Sequence, residues 1–357
     1  MFYQTFSSSN PYQDFIEASS TDGTLLRGRP LLSFIDEFIA ECSVADFWTI
    51  STIKAAQVLK SHLNRFAQAQ SFDYFTREGL DYYIRYLREN ARLREASCKK
   101  QYMNLRWFLS WAIRKGYCAD RTVLDYKPRF KLIEQPVIFL SPKELSSLWH
   151  LAIPEDGTAV ILRSFSGRCY TKRMKDSSSL EIARDLFCFC AFTSLRYSDM
   201  VTLKKTDIDG SIMKIVTKKT DRRLVIDLCP QALSILSKYS TKELPGERAL
   251  PYLSNQRMNN LLKELCELAG INSPVRQVFY KAGKRQERVL PKWRRVTTHA
   301  ARRTFVSYAL SSGIPPQVVM KWTGHGEYSA MKPYIDVADS VRTEAMASLS
   351  RAWSQYF

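Results

Sequence analysis

The stretch HAARRTF at 299–305, followed by GHGEYSAMKPYI at 324–335, decides how this chain reads. The chain has only four histidines, and His299 and His325 are two of them. With Arg302 and Tyr334 they make two imidazoles, a guanidinium and a phenol. Such groups suit attack by a tyrosine on a phosphodiester, provided the fold brings in a second arginine and a proton donor. His299 and Arg302 are spaced i, i+3, so a helix capped by Thr298 turns both the same way while Phe305 and Ala309 pack the other side. Arg302 would hold a non-bridging phosphate oxygen and His299 would donate to it or move protons; a plain surface helix is the competing reading. Gly324 follows the helical stretch PPQVVMKW as a left-handed C-cap, with His325 directly after it. A phenol with a reference pKa of about 10 needs a cationic pocket before it attacks. Alone among 18 tyrosines, Tyr334 reads as packing.

Upstream, Arg196 stands in AFTSLRYSDM, directly after the apolar run FCFCAF. A guanidinium closing a buried helix needs a strong partner. Phosphate oxygens would serve, and so would Asp199 at i+3. Lys219 lies in the polar turn of SIMKIVTKKTDRRLVIDL, a strand–turn–strand pattern with β-branched residues on both sides. A lysine at such a tip is ordinarily solvated, yet its reach lets it enter a DNA groove and hand over a proton.

Charge narrows the partner. The formal net charge is +18, and residues 1–100 carry 12 basic against 12 acidic side chains, so the whole excess lies beyond them. Residues 251–300 alone are +7, with Lys284, Arg285, Arg288, Lys292, Arg294 and Arg295 leading up to His299. A regional imbalance of this size points to a polyphosphate surface, whereas any one of these residues reads equally as a solvated face. Cys42, Cys98, Cys118, Cys169, Cys188, Cys190, Cys229 and Cys266 show no CxxC pair and no Cys/His ligand spacing, so all eight read as reduced thiols. The polar, serine-rich start after Met1 reads as no signal peptide, and no apolar run approaches the roughly 18 residues of a membrane span. The expectation is a cytoplasmic protein that stays alongside its DNA.

At 357 residues the chain is long enough for two domains. Residues 1–29 read as a flexible arm. Residues 30–126 hold four amphipathic helices, the last ending at Lys115-Gly116, and form a compact helical domain. The basic, proline-punctuated segment 127–139 reads as a linker. From 140 to 357 runs a second domain, opened by Ser141-Pro142-Lys143-Glu144 as N-cap, N1 and N3 of a helix. It is mainly helical with one clear β signal, an α+β class with a small hairpin. Its last stretch, 336–357, is an amphipathic tail carrying Val337, Val341, Ala345, Leu349 and Trp353.

Together the four motif segments resemble the catalytic domain of the tyrosine site-specific recombinases, the phage-type integrases and Xer proteins. The pattern is an arginine in TSLRYSD, a hairpin lysine before threonine, H-x-x-R-R-T-F, and G-H with a tyrosine nine residues on. It covers 140–357 strongly, and 30–131 looks more weakly like the family's helical, SAM-like core-binding domain. The resemblance implies that Tyr334 attacks the scissile phosphate to give a 3′-phosphotyrosine and a free 5′-hydroxyl. Arg196 and Arg302 would then neutralise charge on phosphorus, Lys219 would protonate the leaving 5′-oxygen, and His299 and His325 would assist proton movement and phosphate binding. It implies no metal and no other cofactor. The partners it implies are double-stranded DNA, three further copies of the chain in a synaptic tetramer, and accessory DNA-bending proteins, in a bacterial mobile genetic element associated with the nucleoid. The tail would dock on a neighbouring protomer or pack back on its own domain.

Some features depart from the pattern. Ser194 stands where many relatives have glycine, and Pro333 directly precedes Tyr334, either starting its helix or holding it on a bend. Lys218 rivals Lys219, because a one-residue slip changes which side chain leaves the turn. Tyr328 is set aside on spacing. In the first domain Lys99, Lys100 and Arg106 lie along one helix beside Tyr102 and Trp107, either as a phosphate clamp or as charge over a Trp107–Trp111 core stripe. Relaxation of DNA by a type IB topoisomerase-like enzyme, and DNA binding by a regulator without catalysis, are the competing functions.

Overall fold

The computed structural model describes residues 29–66 and 71–335. The arm, except Arg29, and the tail of the sequence reading lie outside them. Contacts divide the chain into two units, Met1–Glu134 with Val278–Gln286, and Gln135–Gln277 with Glu287–Phe357.

The first unit contains α1 (Leu31–Ala45), α2 (Ile50–Phe66), α3 (Arg77–Glu89), α4 (Glu95–Arg114) and the single-turn α5 (Thr122–Asp125). Their apolar spacing dictates what is buried. Leu31, Phe34, Ile35 and Phe38 of α1 meet Leu80, Tyr83, Ile84 and Leu87 of α3 and Leu105, Phe108, Leu109 and Ala112 of α4 in one core. Truncating a fully buried member such as Phe108 to alanine costs about 3–5 kcal/mol. The Thr76 hydroxyl accepts from the Gly79 amide to cap α3, and a Cβ on Gly79 would run into the Tyr74 carbonyl. Gly116, at φ +77, lets the chain turn away after α4.

The second unit opens with α6 (Pro142–Trp149), where Ser141 and Glu144 form the capping box written in the sequence. There follow β1 (Ala159–Arg163), β2 (Cys169–Arg173), α7 (Ser177–Thr193), α8 (Tyr197–Met200), β3 (Ile208–Asp209), β4 (Ile212–Val216), β5 (Arg223–Asp227), α9 (Pro230–Ser240) and α10 (Asn255–Leu268). Then come β6 (Pro274–Lys281), β7 (Lys284–Pro291), α11 (Thr298–Ser311), α12 (Pro316–Thr323) and the one-turn α13 (Lys332–Ile335). Helix α7, whose second half from Leu186 to Phe192 is apolar all round, is the hub, packed against α6, α9, α10 and α11. Its Cys188 and Cys190 are core residues, and all eight cysteines are free.

Among the described residues there are three small antiparallel sheets where the sequence pattern showed one: β1–β2, β3–β4–β5 and β6–β7. The additional hairpins escape periodicity for different reasons. Strand β1 is a continuous apolar run, and β7 buries only its last residue, so neither alternates. The tip of the β6–β7 hairpin belongs to the first unit, where Arg94 bridges to Lys281 and lies 4.0 Å from the Phe279 ring centroid. Among the described residues no helix is long and apolar enough to cross a membrane.

Candidate active site

The site is built on the hub. Helix α7 ends at Ser194, whose φ of +62 places it in the left-handed region that favours glycine. At this position serine adopts the conformation that glycine reaches without strain. The reversal frees the Ser194 carbonyl from helical pairing and starts α8, with Arg196 as its N-cap residue. Arg196 therefore lies between two helices rather than closing one. Its ion pair with Asp199 is long, at 3.9 Å, and its buried Nη1 has no hydrogen-bond partner among the described residues. The competing partner of the sequence reading is thus present but incomplete, and a guanidinium edge is left for a phosphate oxygen.

Asp199 has a second task that the sequence did not signal. Its Oδ1 accepts the Lys218 amide at 3.0 Å, so a carboxylate one turn after Arg196 fastens the β4–β5 turn. Within that turn Thr217 is fully buried, its hydroxyl pairing with Thr220 and accepting from the Arg222 amide. Lys218 and Lys219 both stand exposed. Lys219 is close enough for its charge to act on His299.

Helix α11 presents His299 and Arg302. Its N-cap is Thr297, not Thr298; the Thr298 amide donates instead to Asn259 on α10, so the helix is docked by a neighbour's side chain. Arg302 is 2% exposed. It donates to the Ser194 carbonyl at 3.0 Å and to the Thr323 carbonyl, joining the ends of α7 and α12. Burial, and then repulsion from Arg196, bring its pKa down to about 10, while Tyr334 and Asp199 act the other way. Such coupling puts the phenol of Tyr334 within electrostatic reach of this guanidinium.

His325 follows Gly324, whose φ of +64 ends α12 against the Leu224 side chain. The Thr323 hydroxyl gives its proton to the Val319 carbonyl, so the 2.7 Å contact with His325 Nδ1 makes that nitrogen the donor. Nε2 is then the acceptor and faces the Arg302 guanidinium at 3.2 Å. Both imidazoles are held down to about 4. For His299 the causes are burial, then Arg303, Arg302, Arg196 and Lys219; for His325 they are burial, then Arg302, Arg196 and His299. Part of His299 remains open to water, which screens its cationic neighbours. Both rings are neutral near pH 7.

Tyr334 lies in α13, in which Pro333 is the second residue, so the proline falls in the first turn, where its missing N–H is harmless. The tyrosine is 8% exposed and packs with Val306, Leu310, Val319 and Met331. Tyr328 is exposed. The structure thus gathers Arg196, His299, Arg302, His325, Lys219 and Tyr334 through shared electrostatics within one unit. Lys99, Lys100 and Arg106 belong to the first unit. There the lysines are exposed, while Arg106 donates to the Leu124 carbonyl at 2.7 Å and supports α5. Sequence reasoning also missed Arg222, whose guanidinium lies against Gly326.

The phage integrase family profile matches residues 170–340, and the phage integrase SAM-like domain matches 30–128. The chain belongs to the phage integrase family. It is a tyrosine recombinase, an enzyme of site-specific DNA strand transfer. This family member is similar in fold to a lambda integrase dimer bound to a COC′ core site, at 16% identity and a TM-score of 0.61, covering 86% of this chain and 95% of that one. It is also similar to the Tn1549 transposon integrase in complex with circular intermediate DNA, at 12% identity and a TM-score of 0.57, with coverage of 86% and 95%. A third similar structure is the XerH recombinase bound to its difH substrate, at 14% identity and a TM-score of 0.53, with coverage of 89% and 84%. No curated protein matches the sequence.

Proposed function

We propose that Tyr334 attacks a phosphodiester of duplex DNA, with Arg196, Arg302, Lys219, His299 and His325 as its catalytic partners. The observation that carries this reading is a pair of guanidiniums with hydrogen-bonding capacity to spare, around which two neutral imidazoles, a turn lysine and a phenol converge. The phenolic oxygen bonds to phosphorus as the bond to the 5′-oxygen breaks. The phenol's proton passes to a neutral imidazole, and Lys219 gives its proton to the leaving 5′-oxygen. Arg196 and Arg302 stabilise the charge that develops on the non-bridging oxygens. Attack on the 3′-phosphotyrosine by the 5′-hydroxyl of another strand completes strand transfer, the ester having conserved the energy of the broken bond.

The +18 charge supports a DNA partner, with Lys99 and Lys100 on backbone phosphates and Arg106 adding the guanidinium nitrogens left by its bond to Leu124. Exchange between two duplexes requires four active sites, hence a tetramer; a lambda integrase tetramer bound to a Holliday junction is among the similar structures, at a TM-score of 0.58. The setting we infer is a mobile element in the bacterial cytoplasm, moved by integration, excision or inversion with DNA-bending proteins assisting. The segment 336–357, outside the described residues, would dock on a neighbouring copy. An apolar cavity of about 610 Å³ lined by Leu145, Trp149, Phe192, Phe305 and Trp322 is a receptive surface for it.

A duplex nicked near the crossover tests the chemistry. The full chain becomes covalently joined to this DNA, and Tyr334→Phe reduces the adduct to nothing detectable on a denaturing gel; an adduct that survives the substitution overturns the assignment. Joined products from two separate sites distinguish recombination from relaxation. Deleting 340–357 should lower joining at two sites while single-site cleavage persists, and unchanged joining overturns the docking role of the tail.

A further inference from the structure

A second cavity of about 420 Å³ lies in the same unit and is lined by none of the six catalytic residues. Its polar walls are Lys263 of α10, Arg294 and Arg295 before α11, Arg303 of α11, Thr297 and Gln135. Four cations share this space with no carboxylate among its lining. Arg303 is half-buried, and its Nε is buried with no hydrogen-bond partner among the described residues. Like charges held this close repel one another, and the buried Arg303 N–H without an acceptor is unfavourable. An anion with several oxygens relieves both at once, since a guanidinium fork matches phosphate geometry.

We propose that this cavity binds a non-scissile phosphate of the DNA backbone, next to the one that Tyr334 attacks. The inference rests on the recombinase reading. Two features select DNA as the source. Arg303 directly follows Arg302, so about 100° of helical turn separates their directions and one helix serves both pockets. Arg303 is also the nearest in effect of the cations acting on His299, which puts the cavity within electrostatic reach of the catalytic centre. A phosphate held there neutralises part of that field, so His299 takes up a proton more readily once DNA is seated. The cavity therefore couples correct seating of the duplex to the proton chemistry of the site.

The test is a scan in which single phosphates flanking the nick of the duplex are replaced by neutral methylphosphonates. Binding and covalent adduct are measured for the full chain and for Lys263→Gln, Arg303→Gln and the double variant, each checked for an unchanged melting profile. At one position or two adjacent ones the neutral linkage weakens binding of the unaltered protein about tenfold, as expected for one charge-assisted contact. In the double variant the same replacement matters less than about twofold, and the slope of log K against log salt falls by about 0.9. Lys263→Gln alone carries the test if Arg303→Gln does not fold. A scan that affects variant and parent alike overturns the proposal, as does an unchanged salt slope. Occupation by inorganic phosphate with no position-specific effect on DNA overturns it too. If the unaltered chain forms no adduct, the recombinase reading itself fails; if it forms one and the scan is flat, only the cavity assignment fails.

Discussion

Two cations of the site are held in opposite ways. Arg302 is 2% exposed, fastened to the carbonyls of Ser194 and Thr323 at the ends of two helices. Lys219 stands at an exposed turn, where order comes from the backbone beneath it: the buried Thr217 and the Lys218 amide bonded to Asp199. The difference teaches a division of labour. A charge that must oppose a developing oxyanion gains from being pre-set in a dry, inflexible frame. A proton donor must follow a leaving oxygen and gains from a long, mobile stem.

The sharpest way to break this comparison is Arg302→Ala. It removes transition-state charge and leaves two buried carbonyls without their donor, so activity and folding fall together. Covalent-adduct formation drops by about 10²–10³-fold or more, and stability falls by about 1–3 kcal/mol per unsatisfied carbonyl, read by denaturant titration. An Arg302→Ala protein as stable as its parent means that the buried frame is not what holds this arginine.

Lys219→Ala should be the complementary case. Adduct formation slows by about 10²–10⁴-fold, with the melting temperature unchanged. A substrate whose leaving group needs no proton restores most of the rate. Lys218→Ala has a much smaller effect on rate, since its amide, not its ammonium, contacts Asp199. Should Lys218→Ala be the slower enzyme, the register of the turn toward DNA is the reverse of the one assigned.

The smallest effect is that of pH on the apoprotein. His299 and His325 titrate at about 4 in the folded chain against about 6.5 unfolded, so between these values the unfolded state binds more protons. Stability is fully present above about pH 6.5 and is lost as pH falls toward 4, with His299 contributing less because water reaches it. Replacing both histidines with glutamine should flatten the melting temperature over that window. A slope unchanged by the replacements traces it to other groups.

Much of this was legible in the chain because it is local. The capping box at Ser141, the all-apolar run of α7 and the Gly324 C-cap each follow from residues within one or two turns. Motif order pointed to the catalytic set, yet the convergence of Arg196, Lys219 and Arg302 is tertiary and has no signature in any one segment. What stayed hidden depended on distant partners. Thr297 takes the N-cap position of α11 without a side-chain capping bond while Asn259 accepts from the Thr298 amide, and Asp199 anchors a turn 19 residues away. The strands of β6–β7 carry charged residues on exposed positions, which erases the alternation that marks a half-buried strand.

The hairpin tip at 278–286 has a consequence for biosynthesis. The first unit includes residues that leave the ribosome 152 positions after Glu134. At roughly 5–20 residues per second this is a delay of about 8–30 s. During that interval the nascent helices lack the Phe279 ring that Arg94 covers and the Tyr280 ring near Lys131. A translated fragment ending at Glu134 is missing part of its own fold, and the unit closes only once residues 278–286 have been made.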